Sequence, residues 1–192
     1  MARLGVMGGT FDPIHVGHML LAQFALEALD LDRVLFVPAA DPPHKDDRKD
    51  IAPAEDRWGM VVLALEGVAA MEPSRIELDR PGKSYTVDTL HLLRQQHGDV
   101  ELFLIIGADN IAQMSTWYKP YEILQLCTVV AGARNATEVA DERLARHITR
   151  IDTPLIELSS TQIRQRLAAG LPVRYMVPEQ VEAFIRQKGL YS

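Results

Sequence analysis

Residues 3–29 read RLGVMGGTFDPIHVGHMLLAQFALEAL, and the order of residue types in that stretch sets the expectation for the whole chain. Residues 3–7 form a short apolar run that breaks at Gly8-Gly9, and over residues 17–29 the apolar positions are dense enough for a helix. A strand, a glycine turn and a helix open a βαβ unit. The two glycines let backbone come close to a ligand, while the helix start offers unpaired N–H groups and a positive dipole end to an anion. His15 and His18, three apart at that helix start, face one side and can donate ring hydrogen bonds to phosphate oxygens. Taken singly, two glycines after a strand make only a turn, and a histidine is most often a surface or capping residue. A metal pair is another reading of two histidines at this spacing, but neither the turn nor its neighbours supply a Cys or a third His.

Working outward, the same alternation continues. Residues 33–37 (RVLFV) read as a second buried strand, followed over 39–53 by a loop rich in Pro, Asp and Lys that is long and polar enough to be functional or mobile. A helix is expected over 54–68, a weak strand over 75–78, and a helix over 84–96 entered through Ser/Thr capping residues. Residues 101–107 (ELFLIIG) have the continuous apolar run of a strand buried on both faces of a parallel sheet. Two short helices over 110–114 and 120–126, a strand over 128–131, a polar helix over 137–147 and a last strand over 155–158 follow. Helices over 160–169, stopped by Gly170, and over 178–188 end the pattern. Strands and helices alternating every 25 residues or so imply an α/β fold with a doubly wound parallel sheet, its ligands beyond the carboxyl ends of the strands at the switch in strand order. No repeat or linker divides residues 1–192, so one domain is expected.

Composition bounds the function. Over 192 residues, 47% hydrophobic and 24% charged, disorder is excluded, and a chain of this length buries roughly 70% of its unfolded surface without needing disulfides. The single Cys127 has no partner in the chain and no apolar signal segment opens it, which predicts a cytoplasmic, reducing location. Apolar stretches fall short of the ~20 residues of a membrane helix, and a net charge of -6 argues against a general nucleic-acid or membrane surface. Any bound phosphate must meet a local positive site. Gly82-Lys83-Ser84 imitates the end of a P-loop, but Glu77 stands where its first glycine belongs, and the first turn holds no GxGxxG.

Residues 9–18, GTFDPIHVGH, resemble the GTFDPxHxGH signature of the nucleotidyltransferase superfamily, and residues 159–164, SSTQIR, resemble its SSTxIR motif at a strand-to-helix junction. Over nearly its whole length the chain is similar to the bacterial nicotinate-nucleotide adenylyltransferases. The residues carrying that likeness are Pro42-Pro43-His44-Lys45, Ser84 through Leu90, Gly107-Ala108-Asp109-Asn110, Trp117-Tyr118, and the segments around Val177-Pro178 and Leu190-Tyr191. One departure is visible: these relatives carry Arg-Pro-Gly after the fifth strand, whereas here Arg134 precedes Asn135-Ala136.

The resemblance implies a Rossmann-like nucleotidyltransferase fold and transfer of the adenylyl group of ATP to nicotinate mononucleotide, releasing pyrophosphate. It implies His15, His18, Lys45 and Arg164 as catalytic groups. ATP would lie against Gly8, Gly9, Thr10, Phe11, Gly107, Asp109, Arg134, Ser159, Ser160 and Thr161. The mononucleotide would meet Lys45, Ser84, Tyr85, Thr86, Trp117 and Tyr118. Mg²⁺ would arrive on the ATP phosphates, with no protein metal site. The competing readings are another superfamily adenylyl- or cytidylyltransferase, such as a phosphopantetheine adenylyltransferase, and a nucleotide-sensing domain without turnover.

Overall fold

The computed structural model describes residues 1–43, 51–132, 141–154 and 156–191, and of residues 108 and 109 the backbone alone. Its strands β1 (Ala2–Gly9), β2 (Arg33–Pro38), β3 (Met71–Pro73), β4 (Val100–Ile106), β5 (Thr128–Gly132) and β6 (Ile148–Ile151) form one sheet. All pairings are parallel and the order is β3-β2-β1-β4-β5-β6. The chain builds outward from β1 to β3, then crosses to β4 on the other side of β1. That reversal opens a crevice beyond the carboxyl ends of β1 and β4.

Alternation along the central strands feeds two apolar layers. Met7, Val34, Phe36, Phe103 and Ile105 meet Ala22 and Ala25 of α1 (Val16–Ala28), Met60 and Val61 of α2 (Ala54–Leu65), and Ile163, Val181 and Ile185. Those last three come from α7 (Ser160–Ala168) and α8 (Glu179–Lys188). On the opposite face Leu4, Val6, Leu35, Val37, Leu102 and Leu104 meet Val87, Leu90 and Leu93 of α3 (Thr86–His97) and Ile123 of α5 (Pro120–Leu126). With both faces covered, the strands read as unbroken apolar runs. Truncating a side chain as buried as Phe36 costs about 3–5 kcal/mol. Gly5 sits where a Cβ would lie 2.9 Å from Val34 Cγ2 and 3.0 Å from Leu31 Cδ1, so β1 packs under the chain entering β2 only because residue 5 has no side chain.

Two expected strands are displaced. The third is Met71–Pro73, not residues 75–78, which form a turn that carries Glu77 inward. A three-residue edge strand needs little apolar sequence and tolerates Pro73 at its end. The sixth is Ile148–Ile151; of the strand expected over 155–158, residue 155 lies outside the described residues and 156–158 are irregular. Only Ile148 and Ile151 of that edge strand are buried, so its pattern is weak, while the apolar residues 156 and 158 run irregularly along the crevice. Of the helix expected over 137–147, residues 137–140 lie outside the described residues and the described part is α6 (Glu142–Ala145). Among the described residues no helix is long and apolar enough to cross a membrane.

Candidate active site

The turn after β1 places the two histidines. Phe11 takes a left-handed backbone (φ 50°), and its ring lies under Gly9, where a Cβ would come within 3.1 Å of it. His15 is the N-cap of α1. Its backbone N–H donates to Nδ1 of His18 at 3.2 Å, and the imidazoles stack with centroids 3.7 Å apart and planes 27° from parallel. His18 also stands edge-on to Phe11 at 5.1 Å. Gly17 leaves the space this needs, since a Cβ there would lie 3.0 Å from His15 Nδ1. Burial pulls the His15 pKa down to about 4, and burial together with the neighbouring His15 holds His18 well below its usual value. Both rings are therefore neutral near pH 7. They are available as hydrogen-bond donors rather than as cations.

The second motif closes onto the first. Ser159 caps α7: its Oγ accepts the Gln162 N–H at 3.2 Å while Gln162 Oε1 accepts the Ser159 N–H at 2.9 Å, an arrangement worth about 1 kcal/mol. Ser160 Oγ then donates to the Pro13 carbonyl at 2.9 Å across 147 positions of sequence. Arg164, buried, donates from NH1 to the Asp12 carbonyl at 2.8 Å and from NH2 to Thr161 Oγ1 at 3.4 Å, with Asp12 Oδ2 3.5 Å from NH1. The guanidinium thus ties the two motifs together as well as facing the crevice.

The crevice is a cavity of about 1100 Å³. Gly8, Gly9, Thr10, Phe11, His15, His18, Gly107, Ser159, Ser160, Thr161 and Arg164 line it, and so do Ser84, Tyr85, Thr86, Trp117 and Tyr118. Gly107 caps α4 (Ala108–Gln113), and Asp109 lies in that helix's first turn, its side chain outside the described residues. Lys45 and Arg134 also lie outside them. Thr86 opens α3 and lines the same cavity as Trp117 and Tyr118, with the Tyr85 and Tyr118 rings 4.6 Å apart.

Three groups that hold this site are assigned no role by the sequence alone. Asp12 is 2% exposed inside the first motif, and Arg57 is 2% exposed on α2. In the sequence Glu77 stands only where a P-loop would have its first glycine. It is buried, its pKa pushed up by burial, and it accepts the Thr89 hydroxyl at 2.5 Å and a bond from Ser84. Ser84 Oγ in turn accepts the Ala40 and Asp41 N–H groups at 2.9 and 3.3 Å, so the loop after β2 is anchored to the start of α3. A charged residue flanked by two apolar ones, as Glu77 is by Ile76 and Leu78, is the one trace in the sequence that points to such a group.

A cytidylyltransferase-like family model matches residues 6–166. The chain is 42% identical over 193 residues to a Halalkalibacterium halodurans protein named "Probable nicotinate-nucleotide adenylyltransferase", covering 100% of this chain and 92% of the relative. It is 47% identical over 189 residues to a Thermus thermophilus protein of the same name, covering 98% and 99%. Among solved structures, Plasmodium falciparum nicotinic acid mononucleotide adenylyltransferase complexed with NaAD matches with a TM-score of 0.81 at 16% identity, over 100% of this chain and 98% of that one, a likeness of fold.

Proposed function

Because the chain belongs to the nicotinate-nucleotide adenylyltransferases, a branch of the cytidylyltransferase-like proteins, we propose that it joins nicotinate mononucleotide to the adenylyl group of ATP, giving nicotinate adenine dinucleotide and pyrophosphate. One observation carries the reading to this chain's own residues: the histidine turn, the Ser159–Thr161 segment and the Thr86–Trp117–Tyr118 cluster line one cavity at the switch point. A nucleoside triphosphate and a second nucleotide can be held there end to end.

The reaction is in-line attack by the phosphate oxygen of the mononucleotide on the α-phosphorus of ATP. A phosphate monoester has its second pKa near ~6, so the nucleophile is already ionised and no general base is needed. Catalysis is positioning and stabilisation of charge on the α-phosphate. Neutral His18 accepts the His15 N–H on Nδ1, so its own proton sits on Nε2, available to a phosphate oxygen. Thr161 brings a hydroxyl, and residues 159–161 the N-terminal N–H groups of α7, to the outer phosphates. Lys45, Arg134 and the Asp109 side chain keep the roles the resemblance implies. Mg²⁺ belongs to the nucleotide in this reading, as the resemblance implies. There it neutralises phosphate charge. All strands among the described residues join one sheet, which supports treating residues 1–192 as one nucleotidyltransferase domain, and the lone Cys127 supports a cytoplasmic location.

Release of pyrophosphate from MgATP, measured with nicotinate mononucleotide, phosphopantetheine and phosphocholine as acceptors, tests the reading. Turnover with nicotinate mononucleotide is expected. A better rate with either other acceptor, or none with any, overturns it.

A further inference from the structure

Asp12 lies in the phosphate-facing turn, and no step of the proposed reaction uses it. Its Oδ1 accepts two hydrogen bonds, from the Tyr191 hydroxyl at 2.7 Å and from the Ala52 N–H at 3.1 Å. Tyr191 stands just beyond α8, 179 positions from Asp12 in sequence. On the other side of the turn the Thr10 carbonyl accepts from Arg57 NH1 at 2.7 Å, and Arg57 Nε donates to the Ala52 carbonyl at 3.0 Å. Ala52 is therefore bonded through both its backbone groups, and a closed ring of contacts runs from Thr10 through Arg57 and Ala52 to Asp12. Between the two anchored residues sits Phe11, left-handed at φ 50°, the ring against which His18 rests edge-on. A bulky residue holds that conformation only where its surroundings over-determine it.

We propose that Tyr191 is a positioning residue for adenylyl transfer: by donating to Asp12 it fixes residues 10–12, and through Phe11 it aims the His18 ring at the α-phosphate. The inference rests on the activity proposed above. Tyr191 is itself left-handed (φ 65°), two residues after the left-handed Gly189 that ends α8, so the chain turns back sharply to deliver the hydroxyl. Burial and the Asp12 carboxylate push the phenol's pKa up, which keeps it a donor throughout the working pH range. Arg57 cannot substitute for it, since its bonds go to the Thr10 and Ala52 carbonyls.

Tyr191→Phe keeps the packed ring and removes only the donor. The expected result is a kcat about tenfold lower with the KM for ATP within about twofold. In a His18→Ala background the same change should have no further effect on kcat, because no ring remains to be aimed. A purely structural hydroxyl would lower the melting temperature equally in both backgrounds and leave kcat untouched. A second readout needs no turnover: the ¹⁵N resonances of the His18 ring in the ligand-free protein should move in Tyr191→Phe. Wild-type kcat in Tyr191→Phe, loss that multiplies with His18→Ala, or unmoved His18 resonances each overturn the proposal. If the wild-type protein releases no pyrophosphate, it is the activity that fails, and the His18 resonances still decide whether Tyr191 positions the ring.

Discussion

The His15 backbone N–H points at Nδ1 of His18, 3.2 Å away, while the two rings stack at 3.7 Å. Because Nδ1 must accept that bond, the neutral His18 ring is fixed as the Nε2–H tautomer, and one hydrogen bond both caps α1 and orients a donor.

His18→Ala is therefore expected to lower kcat about a hundredfold, roughly 3 kcal/mol, with ATP affinity changed only a few-fold, as for a donor used mainly in the transition state. His18→Asn keeps a short acceptor for the cap but not the reach of Nε2, so it should melt closer to wild type and be as slow as His18→Ala. Single-turnover rates and ATP titrations separate the two effects. A folded His18→Ala protein with near-normal turnover would remove His18 from the chemistry.

Stability should fall on the acid side. His15 titrates at about 4 in the folded chain against 6.5 unfolded, because burial disfavours its charge. A base with a depressed folded pKa contributes fully above pH 6.5 and loses that contribution as pH falls toward 4. Each pK unit is worth about 1.4 kcal/mol, so His15 alone removes roughly 3 kcal/mol across that window. Denaturant melts of wild type and His15→Asn at pH 7.5, 5.5 and 4.5 should show the wild type losing more stability than the variant. Parallel curves would mean His15 is not buried neutral.

Arg164 has two jobs that one substitution cannot separate. Arg164→Ala leaves Asp12 buried without its guanidinium, which costs about 3–5 kcal/mol, and also removes a donor from the ATP side of the cavity. We expect a lower melting temperature and a higher KM for ATP together. Arg164→Lys should recover part of both, since it restores charge without the fork that reaches the Asp12 carbonyl and Thr161 at once. Normal melting in Arg164→Ala would dismiss the tether between the motifs.

How legible the sequence was depends on where the determining contact lies. The central strands could be read because parallel strands covered on both faces must be apolar throughout, as residues 102–106 are. The histidine turn could be read because its glycines and histidines are adjacent in the chain. The edge strands could not: β3 and β6 each bury so little that Met71, Ile148 and Ile151 leave no periodicity. Nor could the anchors of the turn. Arg57 shares the face of Met60, Val61, Ala64 and Leu65 on α2, but the carbonyls it bonds belong to Thr10 and Ala52 outside that helix, and Tyr191 meets Asp12 only after the whole sheet has been assembled.

Thr86, Trp117 and Tyr118 are expected to set which pyridine is accepted. Thr86 and Tyr118 line the cavity beside Trp117, and among the described residues neither the Thr86 hydroxyl nor the Tyr118 backbone N–H is bonded elsewhere. A ring stacked on the Trp117 indole is held about equally well whether its 3-substituent is an acid or an amide. The substituent must decide. A carboxylate accepts from both donors, whereas a carboxamide turns its NH₂ toward one of them and leaves it unpaired. An unpaired buried donor costs roughly 1 to 3 kcal/mol, so nicotinate mononucleotide should exceed nicotinamide mononucleotide by at least about tenfold in kcat/KM. The Thr86 hydroxyl can rotate to accept, which softens its share of the discrimination; the Tyr118 N–H cannot. Trp117→Ala should therefore weaken both substrates with little change in their ratio, while Thr86→Val should narrow the ratio without abolishing it. Competition between the two mononucleotides at subsaturating concentration reads the ratio directly, and equal efficiencies in the wild-type protein would show that these residues do not form a carboxylate site.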